Sequence, residues 1–187
     1  MRTIRIHPAE RTTRRALRAG FTLVEMVLVV VITGIVAATV IPAWNSLTGT
    51  RQAAAAEEVE REIVAARCQA VAEGRPVGLR VDPANDTVCK YVIETPGAAP
   101  TVAKNIDGQS DPGLNIPAAY SGADISSLTA GDGSTGAQVL WFGYDGTPQL
   151  RNAATGVLIG SATQDAVIQM SGGQQVRVRY GSGMVTR

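Results

Sequence analysis

RRALRAGFTLVEMVLVVVITGIVAATVIPAW, residues 14 to 44, sets a basic segment directly against a nearly unbroken apolar run. From Phe21 to Ile41 the run is 21 residues long, and Glu25 is its one charge. A helix of that length rises roughly 31 Å, the thickness of a bilayer core. Six arginines precede it (Arg2, Arg5, Arg11, Arg14, Arg15 and Arg18), and no basic residue follows until Arg51. The asymmetry predicts an amino terminus on the cytoplasmic side and the remainder of the chain outside. A helix apolar on every face would otherwise need a large protein around it. An ordinary secretory signal fits less well: the run is too long for an h-region, and TVIPAW offers no small-x-small cleavage site.

The overall charge of +1 conceals this segregation. Removing the first twenty residues, with their six arginines and Glu10, from 17 basic and 16 acidic residues leaves 11 against 15, a net of −4 from Phe21 onward. Two environments explain that split better than a surface that coats nucleic acid.

Beyond Pro42, the stretch AWNSLTGTRQAAAAEEVEREIVAARCQAVAEG is dominated by alanine, glutamate and arginine, which favour helix. Leu47, Ala54, Val59, Ile63, Ala66, Ala70 and Val71 are expected to form its apolar stripe, and Glu57 with Arg61 an i,i+4 pair. Gly74 and Pro76 supply a stop. The sequence thus predicts helix from Phe21 to about Glu73, bent at Pro42 because proline removes a backbone donor and clashes with the preceding turn. From Gly74 the composition changes. RPVGLRVD, VCKYVIET, AQVLWFGYD, DAVIQMS and QVRVRYG read as strands, with SGGQQ as the hinge of a hairpin. QVRVRYG alternates strictly, with Val176, Val178 and Tyr180 on one face and Arg177 and Arg179 on the other. Residues 96–136 read as long loops with a short strand or turn. The expected fold is α+β: a long amino-terminal helix packed against an antiparallel carboxy-terminal head. Its parts are a basic leader (1–20), a transmembrane helix half (21–41), an outer helix half (42–74) and the β head (75–187).

Two cysteines fall in the outer part. Cys68 and Cys89 would face an oxidising compartment, where a disulfide closing a 22-residue loop adds roughly 3 kcal/mol by the loop-entropy account. Two buried free thiols are the alternative. No metal site is expected, because the sole histidine, His7, is in the leader. No C-x-x-C, phosphate-binding GxxxxGK or G-x-S-x-G motif is present, so an enzyme is not expected, nor any cofactor. Asp82, Asp86, Asp107, Asp111, Asp124, Asp132, Asp145 and Asp165 sit mostly in turn-like settings, where GDGSTG and YDGTP read as turns rather than metal loops.

The segment AGFTLVEMVLVVVITGIVAATVIP resembles the type IV prepilin signal shared by pilins and by the pseudopilins of type II secretion. The resemblance implies that a prepilin peptidase cuts after Gly20 on the cytoplasmic side and methylates the new amino-terminal Phe21. It also implies that Glu25 pairs with the amine of a neighbouring subunit during filament assembly, and that Pro42 marks the point where the helix bends. A carboxylate in hydrocarbon is costly unless paired, so an intramembrane acid is a functional residue by default. VLWFGYDGTPQL (139–150) and IQMSGGQQVRVRYGSGMVTR (168–187) resemble the end of the head in minor subunits of the H-type and mannose-sensitive-haemagglutinin kinds. The implied partners are the peptidase, other pseudopilins or minor pilins, the inner-membrane assembly platform and the lipid bilayer, with a secreted substrate or DNA for the head. The implied location is the inner membrane, single-pass, with a periplasmic head. Arg177 and Arg179 are the candidates for phosphate contact if the head binds DNA, against the plainer reading of a solvated strand face.

Overall fold

The computed structural model describes residues 21–95, 97–104 and 107–187, without the side chains of residues 42, 43 and 45. The leader, and Gly20 with it, lies outside the described residues, as does the side chain of Pro42. The first helix, α1, spans Leu23–Glu73 and includes Pro42. The described chain divides after Pro42 into two compact units.

In the first unit every described side chain from Phe21 to Ile41 is exposed, and α1 is long and apolar enough to cross a membrane. The two threonine hydroxyls inside this part of the helix are satisfied internally. Thr33 Oγ1 donates to the Val29 carbonyl at 2.7 Å and Thr39 Oγ1 to that of Val36 at 3.0 Å. Hydrocarbon supplies no partners, so hydroxyls that bond back to their own helix remove a cost of insertion.

In the second unit the outer half of α1 carries the head. Ala55, Ala56, Val59, Ile63, Ala66 and Ala70 are fully buried. From Ala56 onward the steps are 3, 4, 3 and 4 residues, one face of a helix. Four of the six are alanines, which let the helix axis come close to the sheet. Val59, Ile63, Ala66 and Ala70 of the expected stripe are core residues. Leu47 and Val71 are exposed and Ala54 is only partly covered, because they lie off that face. The expected Glu57–Arg61 pair is replaced by Arg61 with Glu58, one residue nearer, at 2.6 Å. Gly74 ends the helix with φ +63°, the left-handed conformation open to glycine.

The strands are β1 (Val77–Asp82), β2 (Thr87–Val92), β3 (Thr101–Val102), β4 (Leu114–Asn115), β5 (Ile125–Thr129), β6 (Gln138–Phe142), β7 (Pro148–Arg151), β8 (Leu158–Ser161), β9 (Ala166–Met170), β10 (Gln175–Val178) and β11 (Val185–Thr186). A one-turn helix, α2, covers Ile116–Ala119. Seven strands form one sheet in the order β3-β2-β1-β6-β7-β8, with β4 also paired to β2; four form a second, β11-β10-β9-β5. All pairings are antiparallel. The structure therefore has the expected α+β architecture, a long amino-terminal helix packed on antiparallel sheet. It differs in having two sheets and in the ordered β3, β4, α2 and β5 within residues 96–136. The SGGQQ hinge is a short 3-10 turn, Ser171–Gly173, between β9 and β10, as the hairpin reading required. Tyr180 lies beyond the end of β10 and is exposed, so it does not share the buried face of Val176 and Val178.

The inner face of the larger sheet is set by alternation. Val77, Leu79 and Val81 of β1 point to the core and pair in register with Val92, Lys90 and Val88 of β2. On β6 the same face presents Leu140 and Phe142. Gly78 points the other way, and Trp141 lies over it: a Cβ at Gly78 would stand 2.6 Å from the indole Cε3. Asp86 takes φ +51° in the β1–β2 turn. Its carboxylate accepts from Ile125 N at 2.7 Å and its carbonyl from Ile116 N at 3.0 Å, tying the turn to β5 and α2.

Candidate functional site: the amino-terminal helix and the head

Glu25 and Thr22 form a reciprocal cap at the start of α1. Thr22 N and Thr22 Oγ1 both donate to Glu25 Oε2, at 2.8 and 2.9 Å, and Glu25 N donates to Thr22 Oγ1 at 3.2 Å. This is a capping box, in which two orphan helix-end donors find partners in each other's side chains. The signal was present in the sequence as Thr-x-x-Glu ahead of an apolar run, and Thr22 is the residue that a reading centred on the acid alone overlooks. Oε1 of Glu25 has no partner among the described residues, so one carboxylate oxygen is left for a second donor. Phe21, one residue ahead of the cap, is exposed.

On the head, polar contacts fasten the sheets to α1. Lys90 faces the helix and places Nζ 2.9 Å from Glu62 and 3.7 Å from Asp111. Burial opposes the charge on this lysine, but the Glu62 and Asp111 carboxylates outweigh it and hold its pKa above the usual value. Arg67 donates from Nε to the Gly146 carbonyl at 3.1 Å and from Nη2 to that of Ser182 at 3.0 Å, linking the helix to the β6–β7 turn and the carboxy-terminal loop. Arg187 meets Glu60 at 3.0 Å. These ties are long-range and left no mark in the sequence beyond ordinary charged residues on a helix.

The aspartates behave as turn residues. Asp82, Asp107, Asp111, Asp132 and Asp145 each accept from the backbone N–H two residues on, at 2.9–3.1 Å. The Ser134 hydroxyl and N–H hold the Asp132 carboxyl below its usual range, and the Thr147 N–H and hydroxyl do the same for Asp145. No group of three or more metal-ligating side chains occurs among the described residues.

The expected disulfide is not formed: Cys68 and Cys89 are both free. Strand parity explains the correction. Lys90 points to α1, so its neighbour Cys89, in register with Arg80, points to the opposite face of the sheet. Cys68 is exposed on the helix. Gly113 closes over Cys89, where a Cβ would come within 2.5 Å of Sγ. Burial, and then the nearby Asp111 charge, push the Cys89 thiol up.

Arg177 and Arg179 are not a free cationic pair. Both converge on Asp165, at 3.8 and 3.2 Å, and Asp165 also accepts from Tyr180 N. The structure brings them together around an acid, which weakens an appeal to phosphate.

Two family profiles match the chain. The prokaryotic N-terminal methylation motif covers residues 15–41. The type II transport protein GspH covers residues 55–182, more than half of the sequence and nearly all of the head with the helix turns beneath it. Comparison with curated proteins and with solved structures returns no significant match. The first profile spans both sides of Gly20, the capping box and the apolar half-helix; the second spans the α+β unit built on the outer half. Fold and both profiles agree, and the chain belongs to the GspH family of type II transport proteins, as a minor subunit of the pseudopilin and type IV pilin kind.

Proposed function

We propose that this chain is a minor pseudopilin of a type II protein secretion system, made as a precursor and assembled into a periplasmic pseudopilus. The basic leader orients the precursor in the inner membrane with its amino terminus cytoplasmic. Prepilin peptidase cuts between Gly20 and Phe21 and methylates the new amine. The assembly platform then draws the helix from the bilayer into the filament, where the Glu25 carboxylate meets the amine of a neighbouring subunit. The carrying observation is the coincidence on one chain of the methylation motif over residues 15–41 and the GspH match over residues 55–182. The capping box supports the reading chemically. It holds the carboxylate at the helix start through Oε2 and leaves Oε1 unused, so an incoming ammonium finds an oriented acceptor rather than a desolvated loose charge.

A minor pilin of a type IV pilus would use the same amino-terminal chemistry. Its DNA-binding form draws no support from Arg177 and Arg179, which share Asp165. Mass spectrometry of the protein from its own cells tests the processing step. The expected amino terminus is monomethylated Phe21, and an intact leader, or a start at any other residue, would overturn it.

A further inference from the structure

The free end of the larger sheet differs from the other sheet ends. Strands β3 and β11 have two residues each, and β5 is partly closed by the Thr129–Thr135 bridge. Strand β8 has four residues, pairs only with β7 among the described strands, and carries Leu158 and Ile159 at 52% and 70% exposure, with Val157 before them at 51%. Residues 156–164, GVLIGSATQ, contain no charge and no proline. An open edge presents a row of unpaired N–H and C=O groups, and proteins blunt such edges with lysine, proline or brevity. Here neither lysine nor proline is used; the protection present is a short strand with one bulge. The β7–β8 register also slips, so that Ile159 has no partner on β7 and stands out from the ladder.

Two further features adjoin this edge. A cleft of about 270 Å³ opens beside it, lined by Leu140, Phe142, Leu150, Ile159, Ala166 and Val178. One strand inward, Arg151 is the register partner of Leu158 and is half-buried. Its Nε donates to Gln149 Oε1 at 3.0 Å and its Nη1 to the Gly156 carbonyl at 2.9 Å, but no carboxylate lies within 4 Å of it among the described residues. A partly desolvated cation without a counter-charge favours an anionic neighbour.

We propose that β8 is the docking edge for an extended segment of a neighbouring filament subunit's head. The segment adds to the sheet as one more strand, sets an apolar side chain toward the cleft and brings a carboxylate to Arg151. Main-chain hydrogen bonds supply the adhesion, and the cleft and the arginine supply selectivity. The added strand lies two strand spacings from β7, about 10 Å, a gap that an arginine and a glutamate reaching toward each other can close. The proposal rests on the reading of the chain as a filament subunit.

The test uses the full-length chain in its own cells, with a photoreactive phenylalanine analogue replacing Ser161 at the edge or, separately, Val36 in the apolar helix. Illumination is expected to join position 161 to another subunit of the filament, within an extended segment of its head. Leu158→Lys and Arg151→Glu, combined with the position-161 probe, should each cut that adduct at least tenfold. Combined with the position-36 probe, they should leave the helix adduct and the protein level unchanged. An adduct at 36 with none at 161 overturns the docking edge and leaves the filament reading standing. Loss of both adducts in the unsubstituted chain defeats the filament reading, and the docking edge with it. A position-161 adduct to a second copy of this chain, or to a secreted protein, also overturns the proposal, as does an adduct indifferent to both substitutions.

Discussion

The two oxygens of the Glu25 carboxylate are differently engaged: Oε2 accepts both Thr22 bonds, and Oε1 accepts none among the described residues. Charge and capping can therefore be separated by substitution. Glu25→Gln keeps an acceptor oxygen for Thr22 but has no charge, Glu25→Ala removes both, and Thr22→Ala removes only the hydroxyl half of the cap. The expected outcome is that all three are still cut after Gly20, as read from the mature mass. Glutamine and alanine should lose filament incorporation to a similar degree. Thr22→Ala should cost about 1 kcal/mol of helix-start stability and reduce incorporation only modestly. Normal incorporation of the glutamine variant would show that the cap, and not the charge, is what assembly uses. At this scale the sequence was informative about Glu25, because an acid in a bilayer-length run is conspicuous whatever surrounds it. Thr22 was equally legible from its spacing to Glu25, but a single threonine at an apolar border draws no attention without the helix boundary.

Elements were legible where one periodicity dominates. The buried positions Val59, Ile63, Ala66 and Ala70 followed from the helical step, and β1, β2, β6, β9 and β10 from short apolar runs between turns. Strands β7 and β8 and helix α2 were not, since PQLR, LIGS and IPAA are too short to show a period and gain their conformation from neighbours. Packing between elements carries its own expectations. Ile63→Ala, at the centre of the helix–sheet contact, should lower unfolding stability by about 2–5 kcal/mol. Gly78→Ala should cost about 1–3 kcal/mol through overpacking, although Gly78 is not a turn residue, because its Cβ would drive into the Trp141 ring and Val139. Denaturant unfolding of the detergent-solubilised protein checks both. A neutral Gly78→Ala would mean that the indole swings aside at no cost.

At the scale of the whole molecule the thiols distinguish a head held by packing from one held by a covalent staple. Both cysteines are free and lie on surfaces that do not face each other. The raised pKa of Cys89 lowers its thiolate fraction at neutral pH, and only the thiolate reacts. A maleimide should therefore label exposed Cys68 quickly and Cys89 slowly until the protein unfolds. An intact mass lacking two hydrogens would contradict the free-thiol structure. The sequence by itself determined the membrane-length helix, the acid at its start, the stop at Gly74 and the α+β class. Each of these depends on local composition or on a period within one segment. The tertiary structure alone decided which way Cys89 points, that Arg177 and Arg179 share Asp165, that Lys90 reaches Glu62, and that β8 is left as an open apolar edge. The reason is physical: strand order and register bring together residues far apart in the chain, and a shift of one residue turns a side chain to the opposite face of the sheet.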